Sequence, residues 1–288
     1  MSTLAFAETP SQLPHYLKAL LVSKRGWRSG DALPRLEATL AVTPDPAALA
    51  SYRRLCGFSD SGVPITFPHV LASPLHLAIV TAAEFPLPAM GLLHVANRIV
   101  QHRALREGER LSLRVALAGQ RDARRGLEFD LQSEVKIADE LIWESVSTLL
   151  HRLPSKQPPR SAGAAPAAAA PLETRSEEWS LPADLGRRYA RVSGDFNPIH
   201  LWPLTARLFG FRRPIIHGMW TLARCAAALA ADAPALPSSL EVRFRRPLAL
   251  PGTAVMSAAA TGGGQSFHVA DRGGLEIFLE GKWSPARR

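Results

Sequence analysis

The sequence predicts an α+β protein made of two similar halves, each an antiparallel sheet curled around one long buried helix. Three observations predict this fold class: strands with a two-residue hydrophobic period, a long apolar segment ahead of the strands in each half, and a proline-rich segment between the halves. At 288 residues, the chain is long for a single core and has room for two domains of common size.

The strands are recognised by the alternation of apolar and polar side chains. Leu111, Leu113 and Val115 alternate with Ser112 and Arg114. This period of two is typical of a half-buried antiparallel sheet. The predicted strands cover residues 111–117, 127–137, 141–150, 240–244 and 275–279.

A long helix precedes the strands in each half, at residues 68–83 and 217–231. The second helix is rich in alanine, and Arg224 is its only Lys, Arg, Asp or Glu residue before Asp232. A helix that is apolar on most sides is buried, so we expect a sheet to curl around it. Residues 154–175 contain five prolines and a run of alanines, which interrupt regular structure and leave little to pack. The predicted domains are therefore residues 1–153 and 176–288, joined by this linker.

A weak internal repeat supports the division into halves. Residues 52–58 match residues 189–195 as Y-x-x-x-[small]-G-x, and Val-Pro-Ile at 63–65 resembles Arg-Pro-Ile at 213–215. The offset grows from 137 to 150 residues between the two matches, so the second copy holds 13 extra residues. Because the order of elements also agrees, we interpret the pattern as a duplication.

The extra residues carry the densest cluster of reactive side chains. Gly194 permits a tight bend before Asp195, and Pro198 pushes Asn197 out of the helical region. The stretch is therefore a loop, which can direct Asp195 and His200 toward one water as a general acid and base. The same dipeptides are ordinary in turns, and either side chain could instead cap the following helix.

A second cluster lies where the apolar helix of the second half begins. The first amides of a helix lack internal partners and carry the positive end of its dipole, so Gly218 could let an oxyanion approach the backbone. Close packing of the helix would explain Gly218 equally well, and a lone histidine such as His217 is typical of a hydrogen-bonded core position. In the first half, Phe58 replaces Asp195, His200 has no counterpart, and Pro68 aligns with Gly218 but has no N–H.

Composition narrows the class of protein. The net charge of +9 comes from 34 basic and 25 acidic residues, and only five of the basic residues are lysines. Such a surface could attract a phosphorylated carrier or simply be solvated. The arginines are scattered, with no zinc-ligand spacing and no aromatic RNA-binding motif, so we expect no nucleic-acid partner.

Cysteines and apolar runs indicate the compartment. Cys56 and Cys225 lie far apart in different halves, which predicts buried free thiols rather than a disulfide or a metal site. We therefore expect a cytoplasmic protein. No run of 18 uncharged apolar residues predicts a membrane span, and residues 1–9 lack the basic region of a signal peptide.

Three short motifs in the second half resemble a known family. The strings Y-A-R-V-S-G-D-F-N-P-I-H, A-R-L-F-G-F and R-P-I-I-H-G-M, within residues 188–220, resemble the MaoC-like family of (R)-specific enoyl-CoA hydratases and 3-hydroxyacyl-thioester dehydratases. The likeness is looser at residues 243–252, and the first half resembles the family in pattern only. The resemblance implies a double hotdog fold, in which a degenerate N-terminal copy makes room for an acyl chain and the C-terminal copy is catalytic.

The resemblance also implies a reaction and its residues. Asp195 and His200 would be the catalytic pair, Asn197 would orient the site, and the Gly218 amide would contribute to an oxyanion hole. The reaction implied is hydration of a 2-enoyl thioester to an (R)-3-hydroxyacyl thioester, and its reverse, as in fatty acid metabolism, with no metal or redox cofactor. Which of Asp195 and His200 is the acid and which the base stays open. Trp202 replaces the acidic residue or asparagine of many members, which bears on the substrate pocket.

Substrate contacts and partners follow from the same comparison. The residues expected to bind substrate are His217, Met219, Arg243, Arg245 and Arg246. The arginines would contact phosphate groups of coenzyme A or an acyl carrier protein, or else form a solvated strand edge. A thioesterase and a non-catalytic acyl-thioester binding protein are the alternatives, and the intact Asp–Asn–His loop argues against both. The two halves can pair within one chain, and a homodimer is a further possibility.

Overall fold

The fold is taken from a computed structural model that describes residues 2–286, except 22, 23, 25, 29, 60, 61, 125 and 154–174. The strands are β1 (Ser2–Phe6), β2 (Leu36–Val42), β3 (Leu93–Gln101), β4 (Leu111–Ala123), β5 (Gly126–Ile137), β6 (Glu140–Arg152), β7 (Arg175–Leu181), β8 (Ser238–Phe244), β9 (Gly252–Thr261), β10 (Gly264–Ala270) and β11 (Ile277–Pro285). The α-helices are α1 (Gln12–Leu21), α2 (Pro46–Cys56), α3 (Phe67–Thr81), α4 (Leu185–Ser193), α5 (Pro203–Leu208) and α6 (Gly218–Ala228). Short 3₁₀ helices lie at Pro198–His200 and Ala230–Asp232.

All of these strands belong to one sheet with an internal symmetry. Its order is β1-β2-β4-β5-β6-β3-β8-β11-β10-β9-β7. From the centre outward, β3-β6-β5-β4-β2 of the first half mirrors β8-β11-β10-β9-β7 of the second. The halves meet where β3 and β8 pair antiparallel, with Ile99 opposite Leu240. The repeated topology agrees with a duplication, and it shows that the two halves pair within one chain.

The internal repeat corresponds to matching helix ends. α2 and α4 both end in a glycine, Gly57 at φ 81° and Gly194 at φ 75°, and this left-handed conformation is cheap only without a Cβ. The 3₁₀ helix Pro198–His200 and α5 then fill the longer interval before α6. The extra length of the second half is therefore the segment that carries His200.

The core lies between the sheet and the long helices α3 and α6. Alternating side chains of β5 are buried, as the two-residue period predicts, and Cys56 and Cys225 are buried free thiols. α3 and α6 coincide with the predicted helices apart from their ends: α3 runs from Phe67 to Thr81 rather than from 68 to 83, and α6 ends at Ala228 rather than at residue 231. No helix in the described part of the chain is long and apolar enough to cross a bilayer.

Three details differ from the sequence prediction. Leu275 is not in a strand: it is exposed in the turn before β11, because hydrogen bonds between Asp271 and the backbone of Glu276 close a turn over residues 271–276. Arg175 begins β7 by pairing with Ala258, so it does not belong to the linker; the rest of the predicted linker, residues 154–174, lies outside the described residues. β1 and α1 precede the repeated unit and were not predicted, and β1 pairs with β2 in parallel.

Candidate active site

Asp195 lies in a short loop that begins where α4 ends. After Gly194 turns the chain, the Asp195 amide donates to Ser193 Oγ at 3.2 Å. The carboxylate in turn accepts the backbone N–H of Asn197 at 3.1 Å through Oδ1. These bonds form a local turn that holds the carboxylate in one orientation. Asn197 thus acts on Asp195 through its backbone, while its side chain caps the 3₁₀ helix by accepting the Ile199 amide at 3.4 Å.

His200 is held by a single hydrogen bond that also determines its tautomer. It ends the 3₁₀ helix and is buried. Its Nδ1 lies 2.7 Å from the carbonyl oxygen of Ile215. Because a carbonyl oxygen only accepts, Nδ1 carries the proton, and Nε2 of the neutral ring has a free lone pair. His200 can therefore accept a proton at Nε2.

His217 connects the loop to the start of α6. Its Nε2 donates to the backbone carbonyl of Asp195 at 2.9 Å and lies 3.8 Å from the carboxylate. Its ring stacks on that of His200 with a centroid separation of 3.6 Å. His217 therefore contacts both His200 and Asp195 and holds them next to each other.

The electrostatics keep both candidate groups in their basic forms. Burial raises the pKa of Asp195, but His217, His200, the Tyr16 hydroxyl and the Asn197 amide together lower it below its usual value. Burial lowers the pKa of His200, against the raising effects of Asp195 and Ile215. Burial, with a smaller effect of His200, lowers the pKa of His217 to about 3. At neutral pH the site thus holds a carboxylate beside two uncharged imidazoles.

Tyr16 completes the site from the other end of the chain. Its hydroxyl donates to Asp195 Oδ1 at 2.8 Å. α1, which carries Tyr16, packs so closely against the loop that carries Asp195 that a Cβ on Gly194 would lie 2.4 Å from Nε2 of Gln12. Tyr16 could not be recognised from the sequence, because α1 lies outside the repeat and the residue belongs to no motif.

Gly218 is the first residue of α6 and lines the same cavity. The amides of Trp220 and Thr221 bond to the His217 carbonyl, whereas the Gly218 and Met219 amides of the first turn have no acceptor among the residues that the structure describes. A Cβ at Gly218 would lie 2.7 Å from the ring of Phe244. Both interpretations of this glycine are therefore compatible with the structure: it packs against an aromatic ring, and its amide lies at the positive end of a helix.

A cavity of about 560 Å³ joins these groups to the first half of the chain. Asp195, Asn197, His200, His217, Gly218 and Met219 line it together with Tyr16. Trp202 does not line it, and is instead half exposed beneath the guanidinium of Arg187. The departure from the family pattern at this position therefore lies outside the cavity wall.

The arginines divide into two groups. Arg245 and Arg246 line the cavity, follow the end of β8, and pair with Glu280 and Glu276. Arg152, which the sequence analysis did not identify, lines it too. It ends β6, and the antiparallel order β6-β3-β8 brings the ends of β6 and β8 to the same edge of the sheet. Arg243 is exposed within β8 and is not part of the cavity lining.

Asp195, His200 and His217 also satisfy the distance requirement for a metal site. Each offers one ligand atom, and these atoms lie within 4.8 Å of one another. Carboxylate and imidazole are ordinary ligands of Zn²⁺. The donating hydrogen bonds of both histidines use one ring nitrogen each, so a metal would have to bind at the other nitrogen or displace a bond. The expectation of metal-free chemistry remains a prediction.

Several known proteins are similar to this chain. The family model described as a MaoC like domain matches residues 162–273. The 3-hydroxyacyl-thioester dehydratase X of Mycobacterium tuberculosis is 36% identical over 265 residues, which cover 88% of this chain and 91% of that protein. Among solved structures, HtdX of the same organism superposes with a TM-score of 0.75 at 32% identity, over 86% of this chain and 99% of that one.

A more distant structure shares the fold. The MaoC-like dehydratase of Phytophthora capsici gives a TM-score of 0.68 at 20% identity, over 88% of this chain and 96% of the other. The double hotdog predicted from the sequence is thus confirmed. The extent and identity of the match to the mycobacterial dehydratase show that this chain belongs to the MaoC-like dehydratase family.

Proposed function

We propose that the protein catalyses the reversible hydration of 2-enoyl thioesters to (R)-3-hydroxyacyl thioesters. The proposal rests on one observation. Asp195 and His200, both in their basic forms, line the same cavity at the N-terminal end of α6. The mycobacterial relative that matches over 88% of this chain is named a 3-hydroxyacyl-thioester dehydratase, which supports the same reaction class.

The chemistry requires one water and one proton relay. In hydration, a water donates hydrogen bonds to the Asp195 carboxylate and to His200 Nε2, and its oxygen bonds to C3 of the substrate. The electron pair of the C2=C3 bond moves toward the thioester carbonyl. The proton taken from the water is then delivered to C2, which returns Asp195 and His200 to their starting protonation states. Acid–base help of this kind is worth roughly 10²–10⁴-fold in rate.

The carbonyl oxygen becomes negative between these two steps. A backbone amide in the first turn of α6, that of Gly218, is the donor we assign to it, and the helix dipole has the correct sign. One such donor contributes roughly 10²–10³-fold. Asp195 and His217 help by joining the catalytic loop to this turn through a single hydrogen bond.

The substrate carrier is proposed to bear phosphate. Arg152, Arg245 and Arg246 line the cavity from one edge of the sheet, where they can meet the phosphates of coenzyme A or of an acyl carrier protein. Both carriers fit this description. Turnover of the same acyl group on the two carriers would distinguish them. A cytoplasmic location and a homodimer stay predictions.

The direct test is hydration of crotonyl-CoA, followed by loss of the enoyl absorbance. Asp195→Asn and His200→Gln should each lower kcat by at least about 10²-fold. The matched controls Asp184→Asn, an exposed residue at the start of α4, and His102→Gln, on the surface beside Glu144, should stay near the wild-type rate. Near-native turnover of both site variants would overturn the assignment.

The same assay separates the alternatives. Release of free thiol without loss of the conjugated bond would indicate a thioesterase, and substrate binding with neither reaction would indicate a binding protein. We also propose that no metal takes part. Turnover that survives dialysis against a chelator supports this, and loss that is restored by Zn²⁺ contradicts it.

A further inference from the structure

The cavity extends beyond the catalytic groups into the first half, between α3 and the sheet. Val70, Leu77 and Val80 line it at helical spacing from α3, opposite Leu131 and Leu149 of β5 and β6. Most of this wall is apolar, as an acyl chain requires. It also contains polar side chains, which are unusual for a space that holds a hydrocarbon.

Three histidines line this part of the cavity: His69 and His76 on α3, and His94 on β3. The rings of His94 and His69 stack at 5.8 Å, and His76 meets His69 edge-on at 5.2 Å. At the other end, His94 contacts the ring of Phe244 at 5.0 Å. The imidazoles thus form a continuous row.

The row starts beside the catalytic site. The ring of Phe244 packs directly against Gly218 at the start of α6, and His94 is close enough to Asp195 to be affected by its charge. From Phe244 the row leads through His94 and His69 to His76 along α3. A group that binds this row therefore lies on the part of the substrate that extends from the thioester into the first half.

The three rings are uncharged. Burial lowers the pKa of His69 well below its usual value, with further lowering from His76 and His94. It also lowers the pKa of His76 to about 3 and that of His94 to about 4. A neutral imidazole offers one donor and one acceptor. The row can therefore recognise an uncharged polar group.

In two of the rings, one nitrogen has no hydrogen-bond partner in the described part of the chain. His76 is bonded through Nε2 to Ser133 Oγ at 2.8 Å. Nδ1 of His69 and Nε2 of His94, by contrast, are buried without a partner in the described part of the chain. An unsatisfied buried polar atom costs roughly 1–3 kcal/mol. The Ala96 backbone already accepts from the other nitrogen of His94, so Nε2 of that ring is left as an acceptor. Flipping an imidazole exchanges its nitrogen and carbon edges with almost no change in shape, so His69 can turn a nitrogen to the cavity as the donor.

A plain alkyl chain would leave both nitrogens unpaired. A hydroxyl group both donates and accepts, and it could pair with one ring in each role. We propose that His69 and His94 bind an oxygen substituent on the acyl chain, beyond C3, and that the preferred substrates are oxygenated acyl thioesters. This inference rests on the proposed hydratase function, and it adds the class of acyl chain.

The test compares 2-dodecenoyl-CoA with isomers that carry one hydroxyl at successive carbons of the chain. For at least one isomer, kcat/KM should exceed that of the plain chain by about tenfold or more, since a site built for a hydroxyl discriminates against its absence. His69→Leu and His94→Leu should bring this ratio close to one. A ratio is used because general losses of folding or activity cancel in it.

Two further variants sharpen the result. His268→Leu, a change at a buried histidine of β10 that does not line the cavity, should leave the ratio at the wild-type value. His94→Asn, which keeps a donor and an acceptor, should retain part of the preference. If the wild type prefers the plain chain to every isomer, or both leucine variants keep its ratio, the inference is wrong. If crotonyl-CoA itself is not hydrated, the proposed function is wrong.

Discussion

The hydroxyl of Tyr16 donates a 2.8 Å hydrogen bond to the carboxylate of Asp195, across 179 residues of sequence. The contact brings the helix that precedes the duplicated unit into the active site. Burial and the neighbouring carboxylate raise the pKa of this tyrosine, so the phenol remains a neutral donor. Tyr16 is thus a positioning residue, since it acts through Asp195.

We predict that Tyr16→Phe lowers kcat/KM for crotonyl-CoA by about tenfold or more, because a hydrogen bond to a charged group is worth roughly 1.5–3 kcal/mol. The loss of this donor also raises the pKa of Asp195, so the acid limb of the kcat/KM profile should move to higher pH. A purely structural role would lower activity without moving that limb.

Tyr52→Phe is the matched control. Tyr52 is fully buried and donates to Thr66 Oγ1 at 2.8 Å, away from the cavity lining. Its loss should lower the free energy of unfolding by about 1 kcal/mol and leave the pH profile in place. A shift of equal size in both variants would show that the profile does not report on Asp195.

The pH dependence of the wild type follows from the pKa shifts. Asp195 and His200 both have lowered pKa values, so both stay in their basic forms as the pH falls from neutrality. We expect kcat/KM for hydration to stay level near neutral pH and to fall only below 6.5, the ordinary pKa of histidine. Initial rates from about pH 5 to about pH 9 provide the measurement. A fall that begins above 6.5 would show that the active form needs a proton on one of the pair.

Gly218 provides a test of its two interpretations. Gly218→Ala keeps the amide but places a Cβ against Phe244, so it should destabilise the protein by about 1–3 kcal/mol and lower the rate. Adding Phe244→Leu, which removes the clashing ring, should restore stability. If the rate recovers with stability, packing is the reason for the glycine; if only stability recovers, close approach of the oxyanion requires it. Thermal unfolding and crotonyl-CoA hydration measure the two effects.

Arg152 should contribute to carrier binding through its charge. We expect Arg152→Gln to raise KM for crotonyl-CoA by about two- to fivefold, in the range of exposed ion pairs, with a small effect on kcat. The KM for the N-acetylcysteamine thioester, which has no phosphate, should not change. Arg243→Gln is the control, because Arg243 does not line the cavity. Equal changes with both substrates would contradict phosphate recognition.

The sequence predicted those parts of the fold and site that depend on local pattern. The two-residue period identified β4 and β5, and the repeat matched Gly57 with Gly194, which the structure shows to end α2 and α4 in the same left-handed geometry. The loop predicted around Pro198 was expected to direct Asp195 and His200 to one space, and in the structure both line the same cavity. Each of these features is set by residues close in sequence.

Features that depend on distant contacts could not be predicted in the same way. Tyr16 reaches Asp195 only because α1 packs on the loop that carries Asp195, and no periodicity encodes that packing. Arg152 joins the cavity edge through the strand order, which the pattern of β6 does not reveal. His94 meets His69 across the space between β3 and α3, and their sequence positions give no sign of it.

The most direct measurement is a double-mutant cycle on the catalytic pair. If Asp195 and His200 act on the same water, the variant with both Asp195→Asn and His200→Gln should lose about as much kcat as the worse single variant, because groups that act as a unit are strongly non-additive. Losses that multiply, so that the double variant falls by the product of the single effects, would show that the two side chains act independently and would contradict a shared water.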